Sequence, residues 1–495
     1  MDMTNTTTTL ASLLLGSFLL AGCSQVKPQV DFARTRHLIE ESTGVPVAYD
    51  PDEPPLTKNQ LDAMLTDGLS LDDALHLSLL NNRGLQRAFM EIGVRNANWV
   101  QSGLLSNPTL GLSLQFPGGG GRTNFQAALA QNIVDLWQIP TRKRQTQKAL
   151  DETVLRIARL AGELTADAKS AYFKAVAAKE QLTVARENLE LVQKSYDAIK
   201  AQREVGTASP LDQNLARGQV LAVELTTRNA RLEMANAKRR LGKHLSLGRN
   251  IDELALTDTL PEMPPESLEP ERLVDLARTT RLDLRALAAS TESARAKLKL
   301  EHQKVFPNVS LGILFERTDQ PPSSGGTTAA DLLSSALTGE TPMFNTGGDD
   351  PVVDTITGPT LSMTLPIFDQ NQAQIARSHY LYVQTLRAFE NLYLNVAQDI
   401  RISFDASTTA FATVAFFRDQ VLPQSEKNLE FARTSYTAGQ ASILALLDAQ
   451  RFLLEARRGY ISVRLEAATA LSDLERAVGL PVQKMGEISS APEDG

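Results

Sequence analysis

Cysteine is all but missing: the sequence has one, Cys23, so no disulfide can staple the fold and its stability has to come from packing. Aromatic residues are scarce at 5%, and two tryptophans, Trp99 and Trp137, cannot make a full interfacial girdle. Five histidines, His37, His76, His244, His302 and His379, are scattered with no metal-ligand spacing. Gly118 to Gly121 lacks the Lys-Ser/Thr that a phosphate loop needs and is read as a turn. Nothing here points to an enzyme, a cofactor or a bound metal. Neither charge dominates, with 50 Lys plus Arg against 58 Asp plus Glu and a net charge of -8, which argues against a nucleic-acid partner. Long apolar runs are also lacking; Leu10 to Gly22 is too short to span a bilayer as a helix, so a polytopic helical membrane domain is excluded. What remains is a 495-residue chain, 42% hydrophobic and 22% charged, with the composition of a folded protein.

Cys23 directly follows that apolar run, in the order Leu20-Ala21-Gly22-Cys23. A short apolar stretch closed by small residues reads as an export signal with a cleavage site. The segment resembles the lipobox of bacterial lipoproteins, which implies cleavage before Cys23, lipidation of Cys23 and membrane anchoring. The stretch before it, Met1 to Thr9, departs from that pattern in carrying Asp2 and no Lys or Arg. By the same resemblance, Ser24, where an aspartate would favour inner-membrane retention, implies the outer membrane.

The chain is internally duplicated. Residues 85–116 align with 284–315 at a constant offset of 199, placing Pro108 on Pro307 and Leu110, Leu112, Leu114, Phe116 on Val309, Leu311, Ile313, Phe315. Ile133-Val134-Asp135 matches Ile367-Phe368-Asp369 at 234, and Gly206, Ser209, Leu211 match Gly439, Ser442, Leu444 at 233. The jump of 35 lies between paired strands, so one hairpin loop is short, Pro117 to Gly121, and the other long, about 317–351.

Each repeat reads as short helices, a strand hairpin and very long helices. From Val154 through Ile157, Ala161, Leu164, Ala168, Ala171, Ala175, Ala178, Leu182, Ala185, Leu189, Val192 and Tyr196 to Ile199, apolar residues hold an unbroken 3-4 spacing, a heptad seam. Leu386, Phe389, Tyr393, Val396, Ile400, Ser403, Ser407, Ala410, Val414, Phe417 and Val421 repeat it with two serines inserted. The spacing predicts a first rod over Arg142 to Arg203, roughly 60 residues or about 90 Å. Gly206 and Gly439 should end the rods, and Ser209 and Ser442 can cap helices that return to Leu247 and Leu480.

Alternation in Phe125, Ala127, Leu129 and in Leu361, Met363, Leu365, Ile367 completes four strands able to cross a bilayer at a tilt. Four strands cannot close a barrel, and an open edge in lipid leaves backbone groups unpaired. Three copies would supply twelve strands. A lipid-anchored trimeric coiled-coil surface or structural protein also accounts for heptads, but it has no use for two duplicated amphipathic hairpins.

These features, with Asn107-Pro108-Thr109-Leu110 and Phe306-Pro307-Asn308-Val309 opening the strands and the Gly-x-x-Ser-x-Leu turns, resemble the TolC-like outer-membrane efflux channels, lipoprotein branch, over about residues 69–482. The resemblance implies a mostly α, α+β membrane protein: a homotrimer whose twelve-stranded outer-membrane barrel continues into a coiled-coil periplasmic tunnel. It implies a passive conduit that meets a periplasmic adaptor and an inner-membrane transporter. By the same resemblance Asp212 and Tyr436 tie helix pairs into the closed state, and Asp448 rings the pore. Ala441 and Ala445 stand where the family has an arginine and a further aspartate, so the closing network here is thinner. The resulting division is 1–22 signal peptide, 23–68 lipid anchor and extended N-terminal tether, 69–260 first repeat, 261–482 second repeat with its loop 317–351, and 483–495 a C-terminal tail.

Overall fold

The computed structural model describes residues 25–54, 56–116, 123–248, 251, 254–261, 269–320, 338 and 352–489. Cys23, the glycine turn 117–121 and all but one residue of 321–351 lie outside that set. The chain divides into two compact units: Trp99–Thr146 with Ser293–Tyr382, and Met1–Asn98 with Gln147–Glu292 and Val383–Gly495.

The first unit is built on four antiparallel strands, β1 (Thr109–Gln115), β2 (Asn124–Asn132), β3 (Val309–Gln320) and β4 (Val352–Met363), in the order β1-β2-β3-β4. The register aligns Leu110, Leu129, Ile313 and Pro359 in one row and Leu112, Ala127, Phe315 and Thr357 in another. Period-two alternation therefore gathers Leu110, Leu112, Leu114, Leu129, Leu311, Ile313, Phe315 and Leu361 on one face, where all are exposed. Ser113, Gln126 and Glu316 share the other face. β1 and β4 each pair on one side alone. Phe116 falls just past β1, and Leu365 and Ile367 lie beyond β4, contrary to the predicted strand. Pro366 has no N–H for the ladder, and Ile367 N instead turns back to Leu365 O at 3.0 Å.

The two hairpins are closed at their bases by different chemistry. In the first repeat Arg142 donates to Ser102 O (2.7 Å) and Leu104 O (2.8 Å), while Asp135 accepts from Ser106 N (2.9 Å). In the second, Asn371 Nδ2 donates to Glu301 O (2.7 Å) and Glu301 Oε2 (2.9 Å), and Lys297 and Lys304 bind Oε1 at 2.7 and 3.0 Å. Burial tends to raise the Glu301 pKa, but these hydrogen bonds outweigh it and bring it down to about 2.

The second unit holds most of the long helices. α1 (Gln29–Thr43), α2 (Lys58–Met64), α3 (Leu71–Leu80) and α4 (Arg83–Ser102) precede the strands, and α5 (Asp135–Glu204) is the first rod. It begins seven residues before the predicted Arg142 and runs through Pro140, which supplies no N–H to the carbonyl one turn back. Its seam from Val154 to Ile199 is buried apart from Leu164, Leu189 and Tyr196, which are partly covered. α6 (Pro210–His244) returns, and α7 (Pro270–Thr280) and α8 (Leu282–Gln303) lead to β3.

The second rod is interrupted: α9 (Gln372–Phe416) passes through a π turn, Phe417–Val421, into α10 (Leu422–Thr437), and α11 (Ile443–Val478) returns. Pro423 offers no N–H to the preceding turn, and the wider π turn carries the helix past it. The Phe417 ring fills the space beside Gly459, where a Cβ would lie 2.8 Å from it. Of the serines that break the second seam, Ser407 is buried and Ser403 partly covered; further along, buried Ser425 Oγ donates to Val421 O at 2.6 Å.

Both chain ends differ from expectation. The tether read as extended contains α1, whose Phe32, Leu38 and Ile39 are buried, with Phe32 against Phe89 and Asp31 bonded to Asn96 at 2.8 Å. Its apolar residues recur at helical spacing, which gives it a face to dock. The tail begins as helix α12 (Val482–Ser489), with Met485 buried and Lys484 Nζ donating to Glu40 O and Glu41 O at 3.2 and 2.8 Å.

Candidate functional site

Both rod ends are built by the same local rules. Gly206 (φ +81°) and Gly439 (φ +70°) adopt the left-handed conformation that a side chain would oppose. Thr207 N then donates to Gln202 O (2.8 Å) and Gln440 N to Ser435 O (2.9 Å), so carbonyls at each helix end are satisfied. Ser209 caps α6 and Ser442 caps α11.

The equivalence stops at the third helical residue. Asp212 completes a capping box, accepting from Ser209 N at 2.9 Å and Ser209 Oγ at 2.7 Å. Ala445 occupies the matching position in the second repeat and cannot. Tyr436 reaches across to the first rod, its hydroxyl donating to Gln202 Oε1 at 3.1 Å. Burial, with the negative charge of Asp212 second, raises the Tyr436 pKa and keeps the hydroxyl a donor. Asp212 and Tyr436 thus share one electrostatic neighbourhood, with Gln202 as the tyrosine's hydrogen-bond partner. Asp448 stands apart: it is exposed on α11 and pairs with Arg451, one turn on, at 3.6 Å.

Gln202 belongs to a series that sequence reading missed. Along the first rod Glu180 binds Arg464 (2.9 Å), Glu187 approaches Arg457 (3.7 Å), Ser195 accepts from Gln450 (2.9 Å) and Gln202 accepts from Tyr436. The rod positions step by 7, 8 and 7 residues, so a heptad register of polar side chains runs beside the apolar seam. That recurrence was the available signal. Ser195 Oγ spends its own proton on Leu191 O (3.1 Å), so it accepts from Gln450 Nε2, while the buried Gln450 Oε1 has no hydrogen-bond partner; Gln450 also lines a cavity of about 350 Å³.

A larger cleft of about 1050 Å³ is lined by Arg159, Lys169, Glu475 and Arg476, whose charges are internally matched: Lys169 with Glu475 at 2.6 Å, Arg476 with Asp167 at 2.5 Å and Arg159 with Glu163 at 3.3 Å. Among the described residues no group of His, Cys, Asp or Glu could hold a metal, and no helix is long and apolar enough to cross a membrane.

The outer membrane efflux protein family model matches residues 74–246 and 273–480, one segment in each repeat. The chain is similar to the cobalt-zinc-cadmium resistance protein CzcC of Cupriavidus metallidurans, 21% identical with 83% of this chain and 90% of that one covered. It is also similar to the pyoverdine export outer membrane protein OpmQ of Pseudomonas aeruginosa, 23% identical over 83% and 85%. The crystal structure of the outer membrane protein VceC from Vibrio cholerae superposes with a TM-score of 0.64 at 14% identity, covering 86% of this chain and 99% of VceC.

Proposed function

Because this chain belongs to the outer membrane efflux protein family, we propose that it is the outer-membrane channel of an efflux or export system, a passive trimeric conduit to the cell exterior. One observation carries the reading beyond family membership: a four-stranded sheet with an exposed apolar face and two singly paired edges. Lipid satisfies the face and cannot satisfy the edges, so the edges must join those of other copies, and three copies make a closed twelve-stranded barrel. A lipid-anchored coiled-coil spacer would explain the rods and leave that face without a purpose.

The rods then form the tunnel, and their turns form its periplasmic end. Tyr436 and Gln202 hold the second pair of helices against the first, with Asp212 shaping the turn beside them. Three copies of Asp448 would give the opening an acidic ring that favours cations, each partly offset by its own Arg451. A periplasmic adaptor and an inner-membrane transporter would deliver the cargo. CzcC is named for cobalt-zinc-cadmium resistance and OpmQ for pyoverdine export, which supports leaving the choice of cargo to the transporter. Cys23 would carry the lipid that anchors the mature N-terminus in the outer membrane. The test is whether purified protein runs in mild detergent at the mass of three chains and conducts in planar bilayers; a non-conducting monomer removes the reading.

A further inference from the structure

Within the first unit the helical segments carry the opposite charge to the strands they support. At the helical end of the sheet, residues 133–146, 293–308 and 364–382 hold eight Lys and Arg against three Asp and Glu, in a chain whose net charge is -8. The strands and their connecting loops, residues 109–132 and 309–363, hold two Arg against seven Asp and Glu. On α8, Arg295, Lys299 and His302 follow one another at helical spacing and are all exposed, and Phe306, 58% exposed, stands where the chain leaves that helix for β3. On α5, Trp137, Pro140 and Arg144 are likewise spaced along one face and exposed, Trp137 by 46%. The Trp137 and Phe306 rings meet edge to face with centroids 4.8 Å apart, which sets the two stripes side by side. Arg144 then lies about 10 Å along α5 from Trp137. Lys299 and, on α9, the exposed Arg377 have no acidic partner among the described residues. Lys297 and Lys304 share the single carboxylate of Glu301, which leaves one positive charge over.

We propose that this basic collar at the helical end of the sheet binds the headgroups of anionic phospholipids in the periplasmic leaflet of the outer membrane. The proposal rests on the channel reading, which puts the apolar face of the sheet in lipid, and adds which lipid gathers at one end of it. Aromatic rings settle at the boundary between hydrocarbon and water, so Trp137 and Phe306 mark that boundary and the basic stripes begin just beyond it. The Debye length at physiological ionic strength is about 8 Å, and charges at that range from an anionic surface are still attracted to it. Each Lys or Arg so placed contributes about five-fold in affinity. The acidic strands and loops repel the same headgroups, so the chain distinguishes the two sides of the bilayer by charge.

Trp137 can report on the lipid beside it. In Trp99→Phe protein it is the sole tryptophan, and bromine atoms on lipid chains quench a tryptophan that touches them. The purified full-length protein is reconstituted into phosphatidylcholine vesicles containing a rising fraction of brominated phosphatidylglycerol or, separately, brominated phosphatidylcholine. The expected result is a preference for phosphatidylglycerol of about five-fold at low salt, falling towards unity in roughly 1 M salt, where the Debye length is about 3 Å. Lys299→Gln combined with Arg377→Gln should cut the low-salt preference by at least half, and Lys427→Gln, at an exposed lysine of α10, should leave it unchanged. The salt series needs no substitution in the collar, so it decides the matter even if the double variant fails to fold. Equal affinity for the two lipids at low salt, a preference indifferent to salt, a double variant that keeps the full preference, or a Trp137 that neither lipid quenches overturns the collar and leaves the channel reading standing. Loss of the preference on adding free glycerophosphate at matched ionic strength would make this a site for soluble phosphate and also overturn the proposal. Protein that does not float with the vesicles removes the channel reading itself, and the collar with it.

Discussion

Three glycines of the sheet stand in three different environments, and substituting each by alanine gives a graded test of the register. A Cβ on Gly312 would lie 2.5 Å from Leu129 O, 2.8 Å from Thr360 Oγ1 and 3.1 Å from Ala130 Cα. Two of those atoms are backbone of β2, which cannot yield without loosening the β2–β3 ladder. A Cβ on Gly111 meets only Ala128 O at 3.9 Å, and one on Gly358 meets nothing within 4 Å. Gly312→Ala should therefore carry an overpacking cost of about 1–3 kcal/mol per chain. Gly111→Ala and Gly358→Ala should be neutral or slightly stabilising, because alanine restricts the unfolded chain more than glycine does. For a chain of this size that cost lowers the thermal midpoint by only about 1–3 °C, so the measurement is comparative: all three variants in one detergent, followed by circular dichroism in the strand region and by resistance to dissociation in dodecyl sulfate. A Gly312→Ala protein as stable as Gly111→Ala would refute the Ala130–Gly312–Thr360 alignment.

Tyr436→Phe removes the hydroxyl bond to Gln202, on the order of 1 kcal/mol; single-channel recordings should show the closed state weakened by about five-fold per subunit, with Gln202→Leu matching it and ion selectivity unchanged in both. Asp448→Ala should reduce cation selectivity and block by divalent ions, and Arg451→Ala should enhance both, measured as reversal potentials in salt gradients; unchanged selectivity in Asp448→Ala would place the constriction elsewhere. Glu301 has a folded pKa below its unfolded value, so its contribution to stability is present above the ordinary glutamate range and is lost as pH falls through about 2. Glu301→Gln, which breaks the pairs with Lys297 and Lys304, should flatten that acid limb of a stability-against-pH curve. Cys23→Ser should abolish labelling by radioactive fatty acid; persisting label would remove Cys23 as the acceptor.

Periodic features were legible in the sequence and aperiodic ones were not. The seam from Val154 to Ile199 and the glycine turns at Gly206 and Gly439 could be read because burial imposes a heptad and a left-handed turn all but demands glycine. The constant offsets located the strands because both repeats had to preserve the same alternation. Strand ends were misread where one residue overrides a pattern, as Pro366 does after β4. The break in the second rod is not legible, because Pro423 lies in a stretch whose apolar spacing survives the π turn. Prolines near α1 suggest an extended chain, but Phe32, Leu38 and Ile39 mark a helical face and are buried. At the rod ends, the resemblance supplied Asp212 and Tyr436 and left out Gln202, since a glutamine beside a seam has no pattern of its own until its partner is seen. Asp212 carries a second role that its spacing did announce, as the acid three residues after a capping serine.

The central claim is that copies of this chain close a single pore, and the most direct test is the planar-bilayer current of the purified three-chain assembly. The account predicts discrete current steps that favour cations and that lose that preference in Asp448→Ala. A three-chain assembly that inserts into the bilayer and passes no current would contradict it.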